Sequence, residues 1–112
     1  MTPNKVIEIV DRIKPNSYTE EDKLRWINEL DGMVQRLVMK RTEVEQYTYP
    51  NDLDRELLIP APYDEDLYTL YVQAKIDFYN REYTHYNNTA TMFELRYDAY
   101  KKDYIRNHRA KG

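Results

Sequence analysis

Pro60 and Pro62 stand just ahead of Asp64, where tyrosines and aliphatic residues begin to recur every three or four positions. Proline fixes φ and pushes the residue before it out of the helical region, so the chain is expected to run extended through the prolines and to enter a long helix at Asp64. The Asp64 carboxylate is placed to accept the free amides of that helix, with Tyr63 and Tyr68 closing over the cap as a hydrophobic staple. Two apolar stripes follow, one of Leu67, Leu70, Tyr71, Ala74 and Phe78, the other of Tyr68, Val72, Ile76, Tyr79, Tyr83 and Tyr86. A helix with two apolar faces needs two partners. One is the protein's own core. The other is either more of that core, as in the central helix of a bundle, or a neighbouring subunit, because tyrosine suits contacts that are dry at one end and wet at the other.

A chain of 112 residues points to one domain, burying roughly two-thirds of the surface its extended form exposes. The absence of cysteine removes disulfides and cysteine-rich zinc sites. Charged residues among the first thirteen positions are incompatible with a signal-peptide core or a membrane span, so a soluble intracellular product is expected. Twelve tyrosines against two phenylalanines favour aromatic contact surfaces on a polar exterior. The net charge of −3 is unevenly spread: Lys101, Lys102, Arg106, Arg109 and Lys111 against Asp103 leave the last twelve residues basic and the body acidic. A basic end complements the C-terminus of a helix, or serves as an arm for a protein or nucleic-acid partner.

Thr2 and Pro3 read as N-cap and first residue of a short helix carrying Val6, Ile7, Val10 and Ile13, which Pro15 ends. Thr19 with Glu20, Glu21 and Asp22 opens a second helix bearing Leu24, Ile27, Leu30, Val34, Leu37 and Val38. From about residue 43 to 63 the helical signal fades, yet Tyr47, Tyr49, Leu53, Leu57, Leu58 and Ile59 make the segment too apolar for a linker, so it should pack on its own domain or a neighbour. Asn87, Asn88 and Thr89 suggest a break after the third helix. A fourth helix then carries Met92, Phe93, Tyr97, Tyr100, Tyr104 and Ile105 to about Asn107. The pattern predicts an all-α single domain of about four helices, with one long ordered loop between helices 2 and 3. Residues 1–105 form that domain, and residues 106–112 a basic arm expected to fray.

No arrangement suggests catalysis, so a non-enzyme without metal or cofactor is expected. His85 and His108 sit in polar or basic stretches and read as surface residues. The acidic groups 20–22 and 64–66 lie where helix N-termini attract negative charge. With only Gly32 and Gly112, the chain has no phosphate-cradling glycine loop. Stacking of nucleic-acid bases on tyrosines is disfavoured by the acidic body, since single-strand binders present a basic groove.

The run Leu57-Leu58-Ile59-Pro60-Ala61-Pro62-Tyr63-Asp64, followed by Leu67, Tyr68, Tyr71, Ala74, Ile76 and Asp77 and by residues 82–87, resembles the small head-tail connector, or adaptor, proteins of long-tailed bacteriophages and prophages of Gram-positive bacteria. The opening helix, the Tyr18-Thr19-Glu20-Glu21-Asp22-Lys23 entry and the Trp26-Ile27 pair are similar as well, so the resemblance extends over nearly the whole chain. It rests on the order and spacing of structural motifs. It implies a virion structural protein that docks beneath the portal protein as a homo-oligomeric ring. The ring would extend the DNA channel without gripping DNA and present a surface to the next head-completion or tail protein. It would act in the host cytoplasm during assembly and at the head-tail interface afterwards, with no membrane contact. Within that frame Tyr68, Val72, Ile76, Tyr79, Tyr83, Tyr86, Tyr47, Tyr49, Leu58 and Ile59 are candidates for the subunit interface. Lys101, Lys102, Tyr104, Arg106, Arg109 and Lys111 are candidates for portal docking. The alternatives are a small helical regulatory protein acting by protein–protein binding, and a neighbouring head- or tail-completion protein.

Overall fold

Four helices account for most of the computed structural model, which describes residues 1–108: α1 Pro3–Ile13, α2 Glu20–Met33, α3 Asp64–Tyr79 and α4 Tyr83–Asn107. No strand occurs among the described residues, and none of their helices is long and apolar enough to cross a membrane. The all-α expectation holds, with the long loop between α2 and α3.

Local chemistry sets the first two helices. The Thr2 hydroxyl accepts from the Lys5 amide at 3.2 Å, with Pro3 in the first turn, where its missing N–H costs nothing. Thr19 and Asp22 form a reciprocal capping box, each side chain accepting the other's backbone N–H. Beyond Met33 the helix widens into a π-helical turn, Val34–Val38, closed by the Met39 amide on the Val34 carbonyl at 2.9 Å. Lys40 then takes φ 60°, a left-handed residue that ends the helix.

α3 is the central helix. Leu67, Tyr68, Val72 and Ile76 are fully buried, and its faces are shared between α1 and α2 on one side and α4 on the other. Both of its partners therefore lie within the chain. Its start differs in detail from the sequence expectation. Tyr63 occupies the cap position without a side-chain cap bond, and Asp64 is the first helical residue, its carboxylate accepting only the adjacent Glu65 amide at 2.8 Å. No staple forms, because Tyr63 packs on Tyr100, centroids 5.6 Å apart, while Tyr68 points into the core. Residues 60–63 form a turn, closed by the Tyr63 amide on the Pro60 carbonyl at 3.1 Å, in place of an extended run; the Ala61–Pro62 peptide is cis.

The break between α3 and α4 falls at residues 80–82, earlier than Asn87 and Asn88 suggested. Arg81 adopts φ 60°, and the Glu82 amide reaches back to the Asp77 carbonyl at 2.9 Å. Tyr83 and Tyr86 thus belong to α4. That helix lies along α3 through an aromatic row in which Phe93 stacks on Tyr97 and Tyr100 meets Tyr104. It continues through Asn107 and so includes Arg106.

Residues 40–62 form a strap bound chiefly by polar side chains. The Asn28 amide accepts from the Tyr47 N–H at 2.7 Å and donates to the Tyr47 carbonyl at 3.0 Å. Gln35 does the same with Glu45, at 2.8 and 2.9 Å. Between them the buried Asp31 carboxylate accepts from the hydroxyls of Tyr47 and Tyr68 and from the Leu58 N–H at 3.3 Å. The Tyr68 hydroxyl itself accepts from the Ile59 N–H at 2.9 Å. Leu57 and Ile59, within the strap, are buried in the core, and the Leu57 amide bonds the Met1 carbonyl at 2.9 Å.

Candidate assembly surface

Burial divides the predicted interface residues. Tyr47, Ile59, Tyr68, Val72 and Ile76 are at most 8% exposed and pack in the protein's own core, so they are not available to a second subunit. The stripe to which most of them belong is apolar because it meets α1 and α2. Leu58 and Tyr86 are half-buried, whereas Tyr49, Tyr79 and Tyr83 are exposed.

Tyr79 joins a larger aromatic corner where α3 turns into α4, and Tyr83 stands exposed at the first residue of α4. Tyr18 meets Trp26 edge-on at 5.4 Å, Trp26 stacks on Tyr79 at 5.8 Å, and Phe78 contacts both Tyr79 and Tyr86 at 5.3 and 5.5 Å. Phe78 and Tyr79 remain about half exposed at 47% and 51%. Beside them Met33, Tyr71, Ala74, Phe78, Tyr86 and Phe93 wall a groove of about 310 Å³, with Lys75 and Glu94 also lining it. A contiguous exposed aromatic surface of this kind is what protein interfaces bury at their centres.

Sequence reasoning passed over a second apolar area. Met92 and Leu95 are exposed on α4, Leu95 at 67%, and Leu95 lies roughly 200° around the helix from the buried Phe93. The signal was present in the spacing of Met92, Leu95 and Ala99, but the stronger aromatic row on the other side of α4 masked it.

The predicted docking residues form no single patch. Lys101 lies over the Tyr97 ring, 4.9 Å from its centroid, and Lys102 pairs with Asp98 one turn back at 3.0 Å. Tyr104 is half-buried and stacks on His108 at 3.8 Å, and Arg106 is exposed. Arg109 and Lys111 lie outside the described residues. His85 and His108 are both exposed.

Among the described residues no three His, Cys, Asp or Glu side chains cluster as metal ligands. The ionisable groups with displaced pKa values serve the fold. Burial raises the Asp31 carboxyl, opposed by the three hydrogen bonds it accepts. Hydrogen bonds to Asp77 and Glu82 raise Lys14, whose ammonium lies 2.7 and 2.9 Å from their carboxylates and ties the end of α1 to the α3–α4 corner. Burial raises the hydroxyls of Tyr47, Tyr68 and Tyr71, and takes Tyr100 to about 12.

No family model, curated protein or solved structure matches the chain.

Proposed function

We propose that the protein is a structural head-completion component of a long-tailed phage or prophage, a non-enzymatic adaptor that docks beneath a portal protein as a ring and joins head to tail. The observation that carries this reading is the pair of separate apolar surfaces on one small helical body: the aromatic corner around Phe78 and Tyr79, and the Met92–Leu95 stripe on α4. Two different patches allow head-to-tail contact between copies, the kind of interface that closes into rings, whereas a twofold dimer needs only one self-complementary patch. The family resemblance of the chain's motif order supplies the biological setting. The acidic body suits a channel wall, since like charge leaves passing DNA free to slide. The basic end of α4 is assigned to the portal.

Mass determination of the protein, alone and mixed with the portal protein encoded nearest its gene, tests the reading. The expected result is a ring-sized species, or portal carrying many copies. Tyr83→Ala combined with Leu95→Ala should abolish that species while lowering monomer stability by less than about 1 kcal/mol, because both side chains are more than half exposed. A strict monomer or dimer indifferent to portal would assign the protein to the regulatory class instead.

A further inference from the structure

α2 and α4 both pack on α3 but not on each other; among the described residues they are joined only through the π-helical turn beyond Met33, which reaches α4. Between them runs the groove of about 310 Å³, floored by Tyr71, Ala74 and Phe78 and walled by Met33, Ala90 and Phe93. α2, α3 and α4 thus form three sides of a helix bundle whose fourth side is open. We propose that α4 of a second copy lies in this groove, with its outward Met92, Leu95 and Ala99 seated between α2 and α4 of the first.

The chemistry of the groove selects the occupant. Its walls and floor are helices, which accept a further helix ridge into groove, and its small residues Ala74 and Ala90 leave room for aliphatic tips. Lys75 is already paired with Glu29 at 3.3 Å, so the seated face must bring no charge to that level. The outer face of α4 meets these demands. It consists of Thr84, Asn88, Thr91, Met92, Leu95 and Ala99, uncharged over about four turns in a chain that is 33% charged. Met92 and Leu95 are 46% and 67% exposed on it. The outer faces of α1 and α2 are charged instead, with Lys5, Glu8 and Arg12 on one and Glu21 and Arg25 on the other.

Direction fixes the mode of contact. Leu95 lies roughly 140° around α4 from Ala90, so the stripe cannot enter the groove of its own copy. Each copy therefore gives one stripe and receives another, a head-to-tail contact. Past Met33 the groove continues to Leu37 and Arg36, and Arg36 has no ion pair among the described residues. With Leu95 beside Ala90 and the guest helix parallel to the host's α4, Asp98, one turn past Leu95, brings the opposite charge to that end. This inference rests on the self-association of the proposed ring and not on its portal.

Two variants test the seating by complementation. One, Met92→Gln with Leu95→Gln, spoils the stripe and keeps the groove; the other, Ala90→Trp, fills the groove and keeps the stripe. Each must match the wild type in helical circular dichroism and melting, and Phe78→Ser, at the exposed end of the groove, replaces Ala90→Trp should the latter fail to fold. Native mass spectrometry reads each variant alone and in equimolar mixture, with portal absent and present. Seating predicts that neither variant forms the ring-sized species, and that the mixture forms a one-to-one pair that grows no further, because one intact groove meets one intact stripe once. A ring retained by either variant, or a mixture that forms no pair, overturns the seating and leaves the ring standing. A one-to-one pair in a protein whose wild type ignores portal keeps the seating and removes the connector reading. A wild-type chain that stays monomeric at every concentration, with and without portal, overturns both.

Discussion

Tyr68 and Tyr100 are both buried, yet their hydroxyls have opposite standing. The Tyr68 hydroxyl accepts from the Ile59 N–H and donates to Asp31 Oδ1 at 2.6 Å, whereas that of Tyr100 is buried with no hydrogen-bond partner among the described residues. Tyr68→Phe leaves a carboxylate oxygen and an amide short of partners and should cost about 1–3 kcal/mol. Tyr100→Phe removes a polar atom already lacking a partner, and should be neutral or stabilising. Urea unfolding of the two variants checks the pair, and equal losses would contradict the assigned networks. Asp31 itself was legible as an anomaly, since it interrupts the apolar row Ile27, Val34 and Val38 at a position where a leucine would be expected. Its partners were not, because Tyr47 and Tyr68 lie 16 and 37 residues away, and helical periodicity carries no information about such pairings.

Among the elements, the corner between α3 and α4 shows where local signals fail. Asn87 and Asn88 look like a break, but they are helical, and the chain turns instead at Asn80, Arg81 and Glu82 without glycine or proline. Tertiary contacts explain the choice. Lys14, just past α1, holds Asp77 and Glu82 on either side of the turn, and Thr89 donates to Asp77 at 3.0 Å from the first turns of α4. Arg81 is left-handed there, a conformation that costs a side-chain-bearing residue about 1–2 kcal/mol. Arg81→Gly should therefore raise stability, by up to about 1 kcal/mol after the added freedom of the unfolded chain is counted, and Arg81→Val should lower it. Thermal melts of both variants decide the point. By contrast, α1 and the start of α2 were readable almost to the residue, because Thr2, Pro3, Thr19 and Asp22 act through bonds within one turn.

For the whole molecule, the abundance of tyrosine becomes a dependence on pH. Tyr47, Tyr68, Tyr71 and Tyr100 all hold their protons more tightly than the ordinary value of 10.0, chiefly through burial, and Lys14 is likewise raised. A group raised in the folded state contributes stability that is complete below its unfolded pKa and is lost as pH rises through the folded one. Stability should thus hold to about pH 10 and fall steeply above it. The tyrosinate absorbance of these four side chains, read as the difference from variants carrying phenylalanine in their place, should appear together with the loss of helical circular dichroism. Ionisation of these four while helicity persists would mean that their hydroxyls are open to solvent. The two apolar faces of α3 were clear from periodicity, but their assignment was not: which stripe meets solvent depends on where α4 begins.

Trp26 is the single tryptophan, 2% exposed, between Tyr18 and the half-exposed Tyr79. The chain thereby contains its own fluorescent reporter, one indole fed by neighbouring phenols at the aromatic corner. Emission that changes when another molecule arrives marks contact at that corner.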